Sequence, residues 1–348
     1  MPVIMDGSHV PVRWTGENTR RRAKSASTDS AQSKQLNVAL LNNMPDSALE
    51  DTELQFSELL DAAAGEIPVR LRFYSLPAIA RTGRARERLD SSYFEIGDLL
   101  RERFDGVIIT GTEPRQPDLR SEPYWPSLVE VLEWAEQNTS SAILSCLAAH
   151  AAVLHSDGIV RQPLRDKRFG VFEERSVADH ALTRGVGPTL PFPHSRWNEL
   201  REDPLISAGY TVLTKSDAAG VNLFVKQKKE SLFVNFQGHP EYGSRTLLKE
   251  YRRDVGRYLK RDRETYPSTP TGYFDTPSAK LLSDFQEKAL RKRSKELMAD
   301  FPEEIVRRTL QAPWRSAAVR IYRNWLQYLV SKKADASMIA PMARRGRG

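Results

Sequence analysis

Three residues of this sequence have the types and spacing of a catalytic triad: Cys146, His239 and Glu241. Cys146 is the only cysteine among 348 residues, and it stands where the strand-like run "SAILSC" meets the helix-like run "LAAHAAVLHSDG". A turn between a strand and a helix can expose a nucleophile above a sheet, and a helix N-terminus favours the thiolate form of a cysteine. A lone cysteine is also often an inert part of the core. The catalytic interpretation therefore depends on a second group.

A base for this thiolate is present in "FVNFQGHPEYG", residues 233 to 243. Pro240 disfavours the helical conformation at the preceding residue, which keeps His239 extended just after a predicted strand. In an extended segment, residues two apart point to the same side, so Glu241 can reach the imidazole and fix its tautomer. The pattern predicts a nucleophile, a general base and an orienting carboxylate.

The composition argues against several other classes of protein. A single cysteine cannot form an intramolecular disulfide or a cysteine-rich metal site, so we expect a reducing, cytoplasmic setting and no metal. The first 35 residues lack the apolar core of a signal peptide, and no run of about 18 apolar residues predicts a membrane span. Much of the net charge of +7 lies at the chain ends, without a nucleic-acid-binding motif. We therefore expect neither a membrane nor a nucleic-acid partner.

Strands and helices are predicted to alternate from about residue 36. Runs rich in β-branched and aromatic residues predict strands at 36–41, 69–74, 105–110, 141–146, 210–214, 221–225 and 231–236. Apolar residues at three- and four-residue spacing predict helices at 51–64, 126–138 and 244–260. This alternation is typical of an α/β fold with a mostly parallel sheet and helices on both faces.

The chain ends and one internal segment depart from this alternation. Residues 1–35 and 331–348 are basic, which predicts disordered extensions on either side of one domain at 36–330. Within that domain, residues 275–312 contain a highly charged helical pattern and predict a helical insertion. The apolar residues expected to pack this insertion on the domain are Leu281, Leu282, Phe285 and Leu297.

Eight segments carry a family resemblance in a fixed order. They are "LNNMPDSALEDTELQF", "GVIITGTEP", "EPYWPSLVEVLEWAEQN", the segment around Cys146, "GIVRQPLRDKRFGVFE", "PHSRWNE", "GHPEYGSRTLLKEYRRD" and "PWRSAAVRIYRNWLQYL". Over residues 36–330 the chain resembles the homoserine O-succinyltransferase family of methionine biosynthesis. The resemblance implies a flavodoxin-like α/β fold similar to the class I glutamine amidotransferases. It also implies an acyl-CoA-dependent O-acyltransferase.

The resemblance implies a role for each member of the candidate triad. Cys146 matches the acyl-accepting cysteine, His239 the general base and Glu241 its partner. The implied reaction is ping-pong: the cysteine takes an acyl group from acyl-CoA, and L-homoserine then takes that group from the cysteine. Acyl-CoA is a co-substrate in this scheme, and no cofactor is implied. The family resemblance also implies a homodimer.

Three further residues match substrate-binding positions of the family. Lys167, in "RDKRFGVF", matches a substrate-binding lysine, and Ser195, in "PHSR", a residue at the amino-acid end of the pocket. Arg253, in "EYRRD", matches an arginine that would hold the substrate carboxylate, for which its planar guanidinium is suited. One departure is His150, which stands where the family commonly has a glutamine.

The acyl donor is assigned from the loop after "TG". In the family, a glutamate at one position of this loop is associated with acetyl-CoA and a small residue with succinyl-CoA. Counting back from Tyr124 and Trp125 places Arg115 at that position, where a cation would favour the extra carboxylate of a succinyl group. Glu113 lies two residues away, and a one-step shift of the loop would bring it inward and reverse the preference. We therefore predict succinyl-CoA, with acetyl-CoA as the alternative.

Other functions remain open on sequence grounds. Class I amidotransferases and γ-glutamyl hydrolases use the same cysteine, histidine and glutamate to cleave glutamine or glutamyl amides. Serine could replace homoserine as the acceptor, and a basic binding protein without catalysis would make the triad a coincidence. The segments "PHSR" and "EYRRD" favour the acyltransferase over these alternatives.

Overall fold

A central sheet of eight strands forms the middle of the computed structural model, which describes residues 3–6 and 35–345. In sheet order β1-β3-β2-β4-β5-β12-β11-β8, these strands are Val3–Met5, Val69–Tyr74, Leu36–Leu41, Gly106–Ile109, Ser141–Ser145, Ser231–Phe236, Leu223–Lys228 and Thr211–Val212. The pairs from β1 to β12 are parallel, and the last two are antiparallel. The mostly parallel sheet that the sequence predicts is confirmed.

Helices cover both faces of this sheet because successive residues of each strand point to opposite sides. Val38 and Leu40 belong to one apolar core, and Ala39 and Leu41 belong to the other. The first core is closed by helices α1 (Leu49–Ala64) and α10 (Arg315–Arg345). The second is closed by helices α3 (Ile96–Arg101), α4 (Trp125–Asn138) and α5 (Leu147–Asp157). The remaining helices are α2 (Gly83–Ser92), α6 (Glu202–Ser207), α7 (Thr246–Leu259), α8 (Thr276–Arg291) and α9 (Glu303–Val306).

A second, antiparallel sheet of four strands stands beside the first. Its order is β10-β9-β6-β7, and its strands are Gly220–Val221, Thr214–Ser216, Gln162–Ser176 and Thr189–Glu199. Its two long strands were not predicted, because β6 is largely exposed and carries charges at many positions where a buried strand has apolar residues. The predicted strands 210–214 and 221–225 are each divided between the two sheets. A local pattern does not show which sheet a strand joins.

The insertion predicted at 275–312 contains two helices, α8 and α9, with a 3₁₀ segment between them at Lys295–Asp300. Leu282 and Phe285 are buried against the apolar side of α7, and Leu297 packs beside them. This segment therefore holds α7 in place. It matters for function because α7 carries Arg253.

Parts of both predicted extensions form regular structure, while the disorder predicted for the rest stays a prediction. Val3–Met5 pairs with β3 as the outermost parallel strand, and Val3 is buried. The predicted tail is helical up to Arg345, because α10 continues beyond its buried part, and Lys333 donates to Asp105 at 2.8 Å. Residues 7–34 and 346–348 of the predicted extensions lie outside the described residues. Within the described part of the chain, no helix combines the length and apolar character needed to cross a membrane.

Candidate active site

Cys146 occupies a sharp turn at the carboxyl end of β5, in the middle of the parallel sheet. Its backbone has φ +53° and ψ −110°, a conformation that is costly for a residue with a side chain. The Cys146 N–H donates to the carbonyl of Phe236 at 2.8 Å, which ties the turn to the end of β12. The thiol is partly exposed rather than part of the core. The turn thus presents the sulfur above the sheet edge, as expected of a nucleophile.

An anion-stabilising position lies next to this sulfur. Leu147 is the first residue of α5, and the first N–H groups of a helix have no partner within the helix. Gly111, after β4, approaches this turn so closely that a Cβ atom built on it would lie 2.7 Å from the Leu147 Cβ and 3.0 Å from its nitrogen. The glycine leaves the helix start open beside Cys146. This arrangement suits a developing oxyanion.

His239 and Glu241 form the hydrogen bond that their spacing predicts. The His239 Nδ1 lies 2.9 Å from the Glu241 Oε1, and both side chains are buried. Burial lowers the pKa of His239, but the charges of Glu241 and Cys146 outweigh it and raise that pKa well above its ordinary value. The other ring nitrogen, Nε2, has no hydrogen-bond partner among residues 3–6 and 35–345. His239 is therefore oriented on one side and available on the other.

The second sheet supports the loop that carries His239. The His239 N–H donates to the carbonyl of Pro193 on β7 at 2.9 Å, and the Gly238 N–H donates to the Asn222 Oδ1 at 2.7 Å. The Asn222 amide in turn donates to the buried carboxyl group of Glu174 at 3.0 Å. Burial raises the pKa of Glu174 to about 8. Tyr242 stacks on the imidazole, with 4.2 Å between the ring centroids.

A cavity of about 580 Å³ opens above these groups. It lies at the carboxyl ends of β2, β4, β5 and β12, which is where α/β sheets bind ligands. Seven of the eight predicted site residues line it: Glu113, Cys146, Lys167, Ser195, His239, Glu241 and Arg253. Arg115 is exposed and does not line it. Within the described part of the chain, no group of three or more His, Cys, Asp or Glu side chains is arranged to hold a metal ion.

A charged network also lines the cavity. The Lys167 Nζ is 3.3 Å from both the Glu250 Oε2 and the Asp254 Oδ2. Glu250 also accepts hydrogen bonds from the hydroxyls of Ser195 and Tyr242. Burial raises the pKa of Glu250, but the Lys167 charge and these two hydrogen bonds outweigh it and hold that pKa below its ordinary value. The carboxylate therefore stays ionised in the cavity.

Arg253 lies one turn further along α7 than Glu250. Its guanidinium is 3.1 Å from the Asp254 Oδ1, and its side chain is 45% exposed. The Arg253 side chain can therefore swing toward a ligand without leaving a buried charge unpaired. Anionic and cationic groups stand side by side here, as the recognition of an amino acid requires.

Comparisons with known proteins show which family this chain belongs to. The family model for homoserine O-succinyltransferase matches residues 16–336. A homoserine O-succinyltransferase from Rhodopseudomonas palustris is 45% identical over 303 residues, which cover 87% of this chain and 91% of that protein. One from Methylorubrum extorquens is 43% identical, covering 87% of this chain and 90% of that protein. The chain belongs to the homoserine O-succinyltransferase family. It is therefore an acyltransferase, as its sequence predicts.

Solved structures resemble this family member at much lower identity. A glutamine amidotransferase from Thermotoga maritima is 16% identical with a TM-score of 0.44, covering 85% of this chain and 98% of that one. One from Methylobacillus flagellatus is 14% identical with a TM-score of 0.47, covering 85% of this chain and 95% of that one. Likeness at this level carries no argument about activity.

In this homoserine O-succinyltransferase family member, a buried carboxylate holds the loop that follows "TG", residues 112–118, which is called the donor loop below. The Glu122 Oε1 accepts the backbone N–H groups of Arg115 and Gln116, at 2.5 and 2.6 Å. In this conformation Glu113 borders the cavity, and its Oε1 lies 3.4 Å from Arg257 on α7. The role of Arg115 in donor choice remains a prediction. Its side chain lies outside the cavity lining in this loop conformation.

His150, the departure from the family pattern, lies one turn into α5 and borders the cavity floor. Its Nε2 is 3.0 Å from the Gln237 Oε1, which also accepts the Leu200 N–H, so Nε2 carries the proton and donates. Burial, aided by the charge of Arg196, lowers the pKa of His150 to about 3. The imidazole is therefore neutral near pH 7. It connects α5 to the loop after β12.

Sequence reasoning missed Glu250, Asp254, Tyr242 and Arg161, all of which line the cavity. A signal for two of them was present. Glu250, Arg253 and Asp254 are three and four residues apart in a predicted helix, so they share one face. Once Arg253 was a candidate, its neighbours on that face were candidates too.

Proposed function

We propose that this chain transfers a succinyl group from succinyl-CoA to the hydroxyl of L-homoserine, through a thioester on Cys146, in methionine biosynthesis. The observation that carries the proposal is the buried His239–Glu241 pair beside a strained cysteine, over a cavity that also holds amino-acid-binding charges. The membership of the family and the name of its relatives support the donor and the acceptor.

The first half-reaction begins from the Cys146 thiolate and the His239 imidazolium. The sulfur attacks the thioester carbon of succinyl-CoA, a carbon–sulfur bond forms, and the negative charge on oxygen points toward the Leu147 N–H. When the carbonyl re-forms, the bond to CoA breaks. The departing CoA thiolate takes the proton from His239. The products are free CoA, a neutral imidazole and a succinyl thioester on Cys146.

Acylation prepares His239 for the second half-reaction. A thioester sulfur has no charge, so one of the two charges that raise the pKa of His239 has disappeared. The neutral imidazole takes the hydroxyl proton of L-homoserine as the oxygen attacks the thioester carbon. Collapse expels the Cys146 thiolate, and O-succinyl-homoserine leaves. The thiolate and the imidazolium are then restored for the next cycle.

The charged network provides a place for the amino-acid end of homoserine. Arg253 can form a bidentate pair with the α-carboxylate. Glu250 is ionised, buried and close to Ser195, so it can accept a hydrogen bond from the α-ammonium group. These groups predict that a hydroxy amino acid is preferred over a simple alcohol.

Acetyl-CoA is the second candidate donor, and the position of Glu113 favours it. This carboxylate borders the cavity, where it would repel the free carboxylate of a succinyl group. Arg257, at 3.4 Å, offsets part of that charge. The amidotransferase and the non-catalytic binding protein have no such observation in their favour, and the family membership argues against both.

The homodimer and the cytoplasmic setting remain predictions. Sedimentation of the purified protein tests the first. A serine acceptor is also open, because serine differs from homoserine by one methylene group.

The deciding experiment supplies purified protein with succinyl-CoA or acetyl-CoA and with L-homoserine or L-serine, and measures CoA release for all four pairs. Succinyl-CoA with homoserine should be fastest. Incubation with succinyl-CoA alone should add one succinyl group to Cys146, seen by peptide mass spectrometry, and Cys146→Ala should remove both signals. An active alanine variant, or acylation of another residue, would refute the thioester route.

A further inference from the structure

Arg161 is a cavity residue to which neither the motifs nor the proposed reaction gives a role. Helix α5 ends at Gly158, which adopts the left-handed conformation with φ +68°, and the chain then turns toward β6. Arg161 is the residue just before that strand, and it lies half-buried in the cavity lining. It therefore follows the carboxyl end of the helix whose first residue comes directly after Cys146.

Six arginine and lysine side chains line the cavity: Arg161, Lys167, Arg196, Arg253, Arg257 and Arg263. Five of them lie between 3.1 and 3.9 Å from a carboxylate oxygen. Arg161 has no such ion pair among the residues that the structure describes, and its hydrogen bond there goes to the carbonyl of Pro117 at 3.4 Å. A half-buried guanidinium without a carboxylate is suited to a carboxylate supplied by a ligand.

The acidic groups nearest to Arg161 are already engaged. Glu122 accepts the backbone N–H groups of the donor loop, and Asp118 pairs with Arg120 at 2.9 Å. Their charges act on Arg161 from beyond ion-pair distance, as does the charge of Cys146. Burial lowers the pKa of Arg161, but an arginine remains charged near neutral pH. The guanidinium thus lines the same cavity as the Cys146 sulfur and is hydrogen-bonded to the donor loop through the Pro117 carbonyl.

We propose that Arg161 binds the free carboxylate of the succinyl group, in the donor complex and in the Cys146 thioester, and so selects succinyl-CoA over acetyl-CoA. This inference rests on the proposed function. The free carboxylate lies two methylene groups from the thioester carbon, on the Cys146 side of the cavity. The α-carboxylate of homoserine is left to Arg253, on α7.

This division assigns the two substrate carboxylates to two different arginines. The sequence predicts that Arg115 sets the choice of acyl donor, but this residue is exposed and does not line the cavity. Arg161 does line the cavity. Arg196 is an unsuitable alternative, because its guanidinium already donates to the carbonyls of Asn198 and Ala219. The donor loop still matters, since its Pro117 carbonyl holds Arg161 in place.

The test compares Arg161→Gln with wild type for both donors, measuring kcat/KM for CoA release and the rate of acyl-enzyme formation. We expect a loss of about 10- to 100-fold with succinyl-CoA and less than about 3-fold with acetyl-CoA, because only succinyl-CoA offers a charge-assisted hydrogen bond. Arg161→Lys should recover part of the succinyl-CoA rate. Arg101→Gln, at a 77% exposed position outside the cavity, is the matched control.

Several outcomes would overturn the proposal. An equal loss with both donors would assign Arg161 to CoA binding or to support of the thiolate. A loss confined to transfer from acyl-enzyme to homoserine would assign it to the acceptor, and no loss would give it no role. If the glutamine variant fails to fold, Arg161→Lys is compared with wild type instead. The proposal then requires a larger loss of kcat/KM with succinyl-CoA than with acetyl-CoA. The ratio of kcat/KM for succinyl-CoA to kcat/KM for acetyl-CoA does not depend on whether the reaction passes through a thioester. If the thioester route were wrong, wild-type protein would show no acylated Cys146.

Discussion

Replacing Glu241 with glutamine tests the central pair of the site. The Glu241→Gln side chain has nearly the same shape, so its carbonyl can still accept a hydrogen bond from the His239 Nδ1 and preserve the tautomer. What it loses is the negative charge that raises the pKa of His239. The variant therefore separates the orientation of the imidazole from the stabilisation of its charged form.

The expected magnitude follows from the geometry. The two atoms are 2.9 Å apart and both side chains are buried, so solvent screens the pair weakly. A hydrogen bond to a charged group contributes about 1.5–3 kcal/mol and a neutral one about 0.5–1.5 kcal/mol. The difference of about 1–1.5 kcal/mol corresponds to a loss of about 5- to 15-fold in kcat/KM for the acyl donor.

The assay follows CoA release at pH 7 together with alkylation of Cys146 by iodoacetamide. Both rates should fall in Glu241→Gln, because fewer imidazolium groups are present to stabilise the thiolate. The matched control is Glu133→Gln, which removes a carboxylate 3.4 Å from His155, where the glutamate is 59% exposed. That surface pair should contribute almost nothing.

Two results would refute this reasoning. Unchanged alkylation with a large loss of CoA release would mean that Glu241 acts on another step than thiolate formation. A loss of several thousand-fold would mean that the imidazole has lost its orientation, so that the hydrogen bond rather than the charge matters. Comparable losses in Glu133→Gln would point to an effect of net charge.

Three further predictions follow from the described contacts. Arg253→Lys keeps the charge but loses the planar fork, so the KM for homoserine should rise about 10-fold with acyl-enzyme formation unchanged; an unchanged KM would remove Arg253 from the acceptor site. Gly111→Ala places a methyl group 2.7 Å from Leu147 and should lower kcat about 100-fold by shifting the oxyanion donor, whereas a wild-type kcat would place that donor elsewhere. The raised pKa of Glu174 means that the folded state keeps a proton that the unfolded state releases. As the pH rises from about 4.5 to about 8, the free energy of unfolding of wild type should therefore fall relative to that of Glu174→Gln. Above about pH 8 the difference between the two proteins should stay constant. Urea unfolding measures the difference, and a constant difference from about pH 4.5 to about pH 8 would contradict the prediction.

The strands of the central sheet and the contact between His239 and Glu241 were predictable, because both depend on local patterns. A buried parallel strand needs a short apolar run, and five such runs were located to within one residue at each end. His239 and Glu241 are in contact, as their spacing predicted, although residues 240 and 241 form a turn rather than an extended segment, and the Tyr242 N–H donates to the His239 carbonyl across it. The sequence by itself therefore determined the fold class and the pair that orients the base.

The second sheet depended on tertiary contacts. Strand β6 is mostly polar, and it is a strand because β7 and β9 hydrogen-bond to it, not because of its own pattern. Two parts of the predicted extensions form regular structure for the same reason. Val3–Met5 pairs with β3, and Lys333 of α10 donates to Asp105, and both partners are far away in sequence.

Which residues line the cavity likewise depended on the tertiary structure. The loop conformation held by Glu122 brings Glu113 rather than Arg115 to the cavity, and a count of residues cannot show this. Glu250 draws Lys167 and Ser195 together from strands more than fifty residues away along the chain. Among the residues that the structure describes, Arg161 lies beyond ion-pair distance of any carboxylate, unlike the five other arginine and lysine side chains of the cavity. Such distances depend on the tertiary structure, which sequence order does not contain.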